Sequence, residues 1–240
     1  MSFATRPLLV SAFAVSLLAA TGCAKDPAKD VPAATVAEPT AAPAAAPAPE
    51  AAPVAAAEPV VAPVAPAAAA APAGDAKSLT GTIRATGSKV TGSHVLEFKT
   101  WKGSLTLTNG DASALEFEID TASVIGDADK ATPGNEKLEG HLKSPDFFDV
   151  AQFPKASFKS TSISAGGEGG ATHTIAGKLT LRGVEKDVTF PAAVAKTATE
   201  VTGKAKFSIN RKDFGIVYAG MADNLIRDDV VLEIDVKAAL

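Results

Sequence analysis

Every second position is apolar through much of the C-terminal part of the chain. Leu105-Thr106-Leu107-Thr108 alternates, and so does Leu115-Glu116-Phe117-Glu118-Ile119-Asp120, where acids fill the polar places. Ile175, Leu179 and Leu181 share a parity with Gly177 between them, and Val188 and Phe190 follow. Ala205, Phe207 and Ile209 alternate with Lys204, Lys206 and Ser208. Val230, Leu232, Ile234 and Val236 alternate with Val231, Glu233, Asp235 and Lys237. Successive side chains of a strand point to opposite faces, so period two predicts strands. One apolar and one polar face predicts an antiparallel sheet wetted on one side. Asn109-Gly110-Asp111 is a strong hairpin signal, Gly166-Gly167-Glu168-Gly169-Gly170 reads as a flexible loop, and Arg182-Gly183 is a weaker turn. About eight strands result. They can close as a two-sheet sandwich or as a barrel, and periodicity leaves both open. GSLTL (Gly103–Leu107) is echoed by GKLTL (Gly177–Leu181), and a glycine before an alternating strand suits a bend in a curved sheet.

The alternation breaks between Thr132 and Pro154. Glu136-Lys137-Leu138-Glu139-Gly140-His141-Leu142-Lys143 places Leu138 and Leu142 four apart, on one helical face. Thr132 or Asn135 is the expected cap, with Pro133 suited to a first turn. Pro145 disfavours helix at Ser144, and Ser144-Pro145-Asp146 starts a second short turn. Phe147, Phe148 and Phe153 follow as a hydrophobic plug.

The residues before position 78 have a different character. Arg6 and the apolar run Leu8–Ala20 form a bacterial export signal over residues 1–22. The run is too short to span a bilayer, which takes roughly 20 apolar residues. Ala20-Thr21-Gly22-Cys23 resembles a lipobox, whose cysteine is lipidated and becomes the mature N-terminus; alanine stands where leucine is usual. Residues 23–77 are then the lipidated Cys23 and an Ala/Pro-rich disordered linker, with eleven prolines between residues 24 and 77. Residues 78–240 form the folded domain, long enough for a sizeable core. Cys23 is the single cysteine, so no intramolecular disulfide can form. The domain's charges are interspersed and nearly balanced, which excludes a basic nucleic-acid-binding face.

Four stretches carry a resemblance: HLKSPDFFDVAQFPKASFKST (141–161), GKLTLRGVEKDVTFP (177–191), FSINRKDFGI (207–216) and the closing strand Asp229–Val236. In this order and spacing the chain resembles the YceI-like family of periplasmic lipid-binding proteins, over most of residues 80–239. The resemblance implies an all-β fold: an eight-stranded antiparallel lipocalin-like barrel with a short helix packed beside it. It also implies an apolar tunnel holding a polyisoprenoid or fatty amphiphile. The inward parity then offers candidates for the cavity lining: Leu107, Phe117 and Ile119; Phe158, Leu179 and Leu181; Phe190, Phe207 and Ile209; and Leu232 and Ile234. Burying apolar chain contributes ~0.8 kcal/mol per CH₂, so a long tail binds without a charged contact.

Catalytic chemistry finds no constellation. His94, His141 and His173 form no ligand pair, so no metal site is expected. Asp146 and Asp149 stand where helix-end caps stand. Asp213-Phe214-Gly215 lacks the phosphate loop and catalytic loop of a kinase, and no serine sits in G-x-S-x-G. Neither an enzymatic reaction nor a cofactor is expected. Arg211 and Arg227 flank the apolar segment Phe214–Ile226, which is expected to cover one barrel mouth. They are candidate head-group contacts, or partners of Asp213 or Asp228 in pairs that pin the loop. The sequence thus predicts an outer-membrane lipoprotein, facing the periplasm, that binds and carries or sequesters an amphiphile. The alternative is a structural or protein-interaction module with a solid core.

Overall fold

The computed structural model describes residues 25–37, 74–222 and 224–240. The signal segment and Cys23 lie outside the described residues. Among the described residues thirteen strands and one α-helix follow in order: β1 (Thr35–Ala37), β2 (Asp75–Lys89), β3 (Gly92–Phe98), β4 (Trp101–Thr108), β5 (Asp111–Asp120), β6 (Val124–Ile125), α1 (Glu136–Lys143), β7 (Lys155–Ala165), β8 (His173–Leu181), β9 (Val184–Lys196), β10 (Glu200–Asn210), β11 (Gly220–Met221), β12 (Asn224–Leu225) and β13 (Asp229–Ala239). Single 3₁₀ turns lie at Thr121–Ser123 and Arg211–Phe214.

Eight strands close a barrel. Their order is β2-β4-β5-β7-β8-β9-β10-β13, and β13 pairs back onto β2 from Val231↔Thr86 to Ala238↔Leu79. Closure chooses the barrel over the sandwich and removes the sheet edges that an open meander would leave. Strand β2 changes partner along its length. Its start pairs with β4, and its end pairs with β3 from Arg84↔Glu97 to Lys89↔Gly92. The two-residue turn at Asn109-Gly110 takes positive φ at both residues (54° and 87°), the primed geometry that Asn-Gly tolerates. Arg182-Gly183, the weaker turn signal, does the same (51° and 72°).

The inward parity is as the alternation predicts over β5, β8, β10 and β13. The acids of β5 face out and are paired across strands: Glu116 with Lys159 at 3.0 Å, Glu118 with Lys155 at 2.8 Å and Lys102 at 3.2 Å. The glycine echo also has a packing origin. A Cβ on Gly103 would lie 2.7 Å from the Phe117 ring, and one on Gly177 would lie 2.6 Å from the Phe158 ring. Each glycine vacates the space that an aromatic ring of a neighbouring strand fills.

Helix α1 is capped by Asn135, whose side chain accepts from the Leu138 N–H at 3.2 Å, and the Ser144 N–H bonds back to His141 O at its end. Pro133 stays outside the helix. Glu139 Oε1 accepts from the Gly126 and Asn135 amides at 3.0 and 3.1 Å, tying the helix to the strand-end loop. These two N–H donors hold the Glu139 carboxyl below its ordinary pKa.

One part of the expected linker departs from the expectation. Residues 25–37 are built into the barrel. Strand β1 pairs antiparallel with β9 at Thr35↔Thr189, Val36↔Val188 and Ala37↔Asp187. On its other side Ala34 N–H bonds Ser208 O at 2.8 Å, and Ser208 N–H bonds Pro32 O at 2.9 Å. Strands β9 and β10 pair with each other only from Val201↔Lys196 to Lys204↔Ala193. Beyond that stretch they part, and the N-terminal strap fills the seam. Proline density hid this strand: Pro32 contributes only its carbonyl, and Ala33–Ala37 is proline-free with its donors intact.

Candidate functional site

The barrel is hollow. A cavity of ≈ 170 Å³ occupies the end beside α1. A second void of ≈ 50 Å³ lies toward the opposite end. Phe117, Phe190 and Ile234 belong to both walls, so they form the neck between them. The neck is aromatic: Phe190 stacks on Phe207 at 4.2 Å with 10° between planes, and Phe158 leans on Phe190 at 5.5 Å.

The large cavity's wall brings together Phe117 and Ile119 of β5, Phe158 of β7, Leu179 and Leu181 of β8, Phe190 of β9, Phe207 and Ile209 of β10, and Leu232 and Ile234 of β13. Leu107 is buried in the core but lies on neither wall. A register irregularity between Thr106 and Leu107 interrupts the alternation there. Leu179, Leu181, Leu232 and Ile234 face inward yet are only partly buried, because their free surface looks onto the void. Outward-facing Val231 is more buried than they are.

Several lining residues come from outside the strands' alternation. Leu142 of α1, Phe147 and Phe148 of the plug, Phe98 of β3, and Ile216 and Ile226 close the end of the cavity. Phe148 meets Phe98 edge-on at 5.8 Å. Phe147, His141 and Tyr218 pack as a three-ring cluster with centroids 4.9 to 5.6 Å apart. His141 Nε2 lies 3.1 Å from Asp146 Oδ2, on the exposed side of this cluster. Arg182 clips the parts together, donating to Gly215 O and Pro145 O at 2.6 Å each. The SPDFF run was the available signal for this wall, since two adjacent phenylalanines after a Ser-Pro turn cannot both face solvent.

The buried polar side chains on the wall are Thr121 and Arg211, and both are engaged. Thr121 Oγ1 donates to Phe153 O at 3.0 Å. Arg211 donates to Arg227 O at 3.0 Å, Ile216 O at 2.7 Å, Ile226 O at 3.4 Å and Asp228 Oδ1 at 3.1 Å. The guanidinium thus fastens the segment from Ile216 to Asp228 across the end of the cavity, in the Arg211–Asp228 pair form of the two readings. Lys212 Nζ shares Asp228 at 2.8 Å. Arg227 is off the cavity wall and lies 3.6 Å from Asp26 of the strap.

Perturbed carboxylates lie outside the barrel rather than in it. Burial alone would raise the pKa of Glu97, but hydrogen bonds from Lys99 and Arg84 bring it below the ordinary value. Hydrogen bonds from Asn135 and His94 likewise lower Asp127. Both are explained by their salt-bridge and cap partners. Among the described residues no group of three or more His, Cys, Asp or Glu is placed to hold a metal ion.

The profile of the YceI-like domain matches residues 75–238. The chain belongs to the YceI-like family. This YceI-like chain is 31% identical over 144 residues to the UPF0312 protein of Pseudomonas fluorescens strain SBW25, covering 57% of this chain and 70% of that one. Its barrel is similar to the crystal structure of Burkholderia cenocepacia BcnA, with a TM-score of 0.51 at 23% identity over 65% of this chain and 96% of the other. It is also similar to a Saccharophagus degradans domain described as polyisoprenoid binding and implicated in plant cell wall breakdown, with a TM-score of 0.52 at 16% identity over 68% and 98% of the two chains. These likenesses carry the fold: a lipocalin-like antiparallel barrel, as the YceI-like resemblance implies. Among its described residues the YceI-like chain presents an apolar-lined cavity at the α1 end of the barrel.

Proposed function

We propose that the protein binds a polyisoprenoid or other long-chain amphiphile inside the barrel, and carries or sequesters it at a bacterial cell envelope. The observation that supports this is a hollow barrel whose free inner surface is apolar, the two buried polar side chains on its wall, Thr121 and Arg211, being hydrogen-bonded. A void of this size is costly if it serves only packing. At ~24 cal/mol per Å³, ≈ 170 Å³ left empty costs roughly 4 kcal/mol. That is a large part of a domain's usual net stability of about 5–15 kcal/mol. Apolar voids of about 150 Å³ stay dry and accept small hydrophobes. An apolar tail is therefore the occupant that offsets the cost, and it needs no charged partner.

The neck continues the cavity toward the second void, so a tail enters from the α1 end and points toward Leu79 and Val236. A polar head stays at the α1 end, where Arg211 lines the wall. The description of the Saccharophagus domain agrees with this ligand class, but its likeness reaches only the fold, and the class rests on the cavity. Residues 1–22 serve as a lipoprotein signal, Cys23 carries the lipid, residues 38–73 join the strap to the barrel, and the domain faces the periplasm from the outer membrane.

Organic extraction of the protein purified from its native host, followed by mass spectrometry, tests the reading. A stoichiometric long-chain lipid is expected, displaced by added polyprenol. Lipid-free protein that also takes up no polyprenol removes carriage from consideration.

A further inference from the structure

Five large hydrophobic side chains are exposed among the described residues: Val90, Val217, Met221, Leu225 and the terminal Leu240. The first four gather at one end of the barrel. The β11–β12 hairpin pairs Gly220 with Leu225 and Met221 with Asn224. It is fastened to the β2–β3 turn, since Val90 N–H bonds Leu225 O at 3.3 Å and Thr91 Oγ1 bonds Asn224 Oδ1 at 2.9 Å. Val217 stands on the same segment, 66% exposed, and Met221 is 70% exposed. The inner side of this segment, Ile216 and Ile226, is cavity wall. The segment is therefore apolar on both faces, whereas a hairpin covering a core in water keeps polar groups outside. Single exposed hydrophobics need no explanation, but a cluster over a cavity end marks a contact surface.

The strap identifies what the surface meets. Asp26 pairs with Arg227, two residues from Leu225, at 3.6 Å. From there the strap runs to Ser208, and Val231 between these points is 2% exposed although it faces outward. Cys23 lies three residues before Asp26, so the chain holds its Cα within about 11 Å of that of Asp26. A lipid on Cys23 would then emerge beside the hairpin, at the same end as the cavity.

We propose that this end is a membrane-contact face: with the strap docked, Val90, Val217, Met221 and Leu225 enter the headgroup–acyl boundary of the bilayer that holds Cys23. The inference rests on the carriage and acylation readings above and adds an orientation to them. The amphiphile then passes between bilayer and cavity past Ile216 and Ile226 without crossing water. Residues that insert in this way sit about 5–10 Å into the boundary region.

The test uses the full chain from the membrane fraction, in phosphatidylethanolamine/phosphatidylglycerol vesicles. Met221→Cys and Leu240→Cys variants carry a nitroxide label; Leu240 follows β13 at the opposite end of the barrel. Collision with dissolved oxygen is expected to exceed collision with a water-soluble nickel chelate at position 221, and the reverse at position 240. Equal nickel access at both positions overturns the proposal, as does a Cys23 thiol that remains free to react. Protection at 221 that appears without vesicles and grows with protein concentration overturns it in favour of a second copy on this face. In an unacylated Cys23→Ala chain, Val217→Ser/Met221→Ser/Leu225→Ser is expected to lower vesicle binding about tenfold, and unchanged binding counts against the face. Assaying each protein for bound long-chain lipid and for polyprenol uptake before it enters vesicles separates the two readings. A protected label on protein that carries no lipid and takes up no polyprenol defeats carriage and upholds the face; a water-exposed label on loaded protein defeats the face alone.

Discussion

Arg211 is the residue on which the cavity end depends. The residue is 3% exposed, and its guanidinium reaches three carbonyls and one carboxylate. A planar fork supplies donors in several directions at once, which a lysine's single ammonium cannot reproduce. Arg211→Met keeps volume but strands the carbonyls of Ile216, Ile226 and Arg227, so it is expected to cost about 3–5 kcal/mol. Urea unfolding reads the loss, and hydrogen exchange should rise first between residues 216 and 228. Arg211→Lys should fall between Met and wild type. The sequence offered Asp213 or Asp228 as the arginine's partner but could not say which acceptors it reaches. Those acceptors are backbone carbonyls of a segment without regular structure, and no side-chain identity records them. Leu107 shows the complementary limit. Its parity is right, but a bulge beside it moves it off the wall.

At the scale of elements, alternation was readable wherever a strand kept one wet and one apolar face. It was silent for α1, the plug and the cavity-end segment, where apolar residues follow turn geometry instead. It was also silent for β1, whose short run sits among prolines. Yet β1 fills the seam beside the wall and packs against the core. Val36 lies opposite Val188, which is 1% exposed and on the cavity wall, so Val36 shares its inward face. Placing a carboxylate there buries a charge without a partner, which the strap avoids by leaving the seam. Val36→Asp is therefore expected to undock the strap while leaving the eight-stranded closure intact. The seam between β9 and β10 then opens beside Val188, Phe190, Phe207 and Ile209. A fluorescent fatty acid should leave such a variant severalfold faster than wild type, with far-UV circular dichroism unchanged. Equal exit rates would mean that the strap covers the barrel without guarding it.

At the scale of the whole molecule, the decisive property is whether the barrel's interior serves a ligand or only the fold, and the two make opposite predictions for one substitution. The strand pattern left sandwich and barrel open, and the family resemblance implied a barrel with an apolar tunnel; hollowness itself depends on how side-chain volumes sum around the neck, which alternation does not encode. Leu232 faces the large void and is only partly buried there. In a filled core, Leu232→Trp would force neighbouring side chains off their rotamers and cost about 1–3 kcal/mol. In the hollow barrel the added ring enters existing space, restores dispersion attraction that the void denies its lining, and removes the room a tail requires. The expected outcome is a ligand-free protein at least as stable as ligand-free wild type, with polyprenol uptake reduced at least tenfold. Wild type should instead gain stability on loading, by about 2.7 kcal/mol when free ligand reaches 100 times Kd. A variant whose affinity is tenfold weaker should gain only about 1.4 kcal/mol at the same ligand concentration, and less as the affinity falls further, because binding is the source of that increment. Thermal unfolding of both proteins, delipidated and then titrated with polyprenol, reads all four states. A destabilised variant that still responds to ligand would place the tail elsewhere than along Leu232 and Ile234.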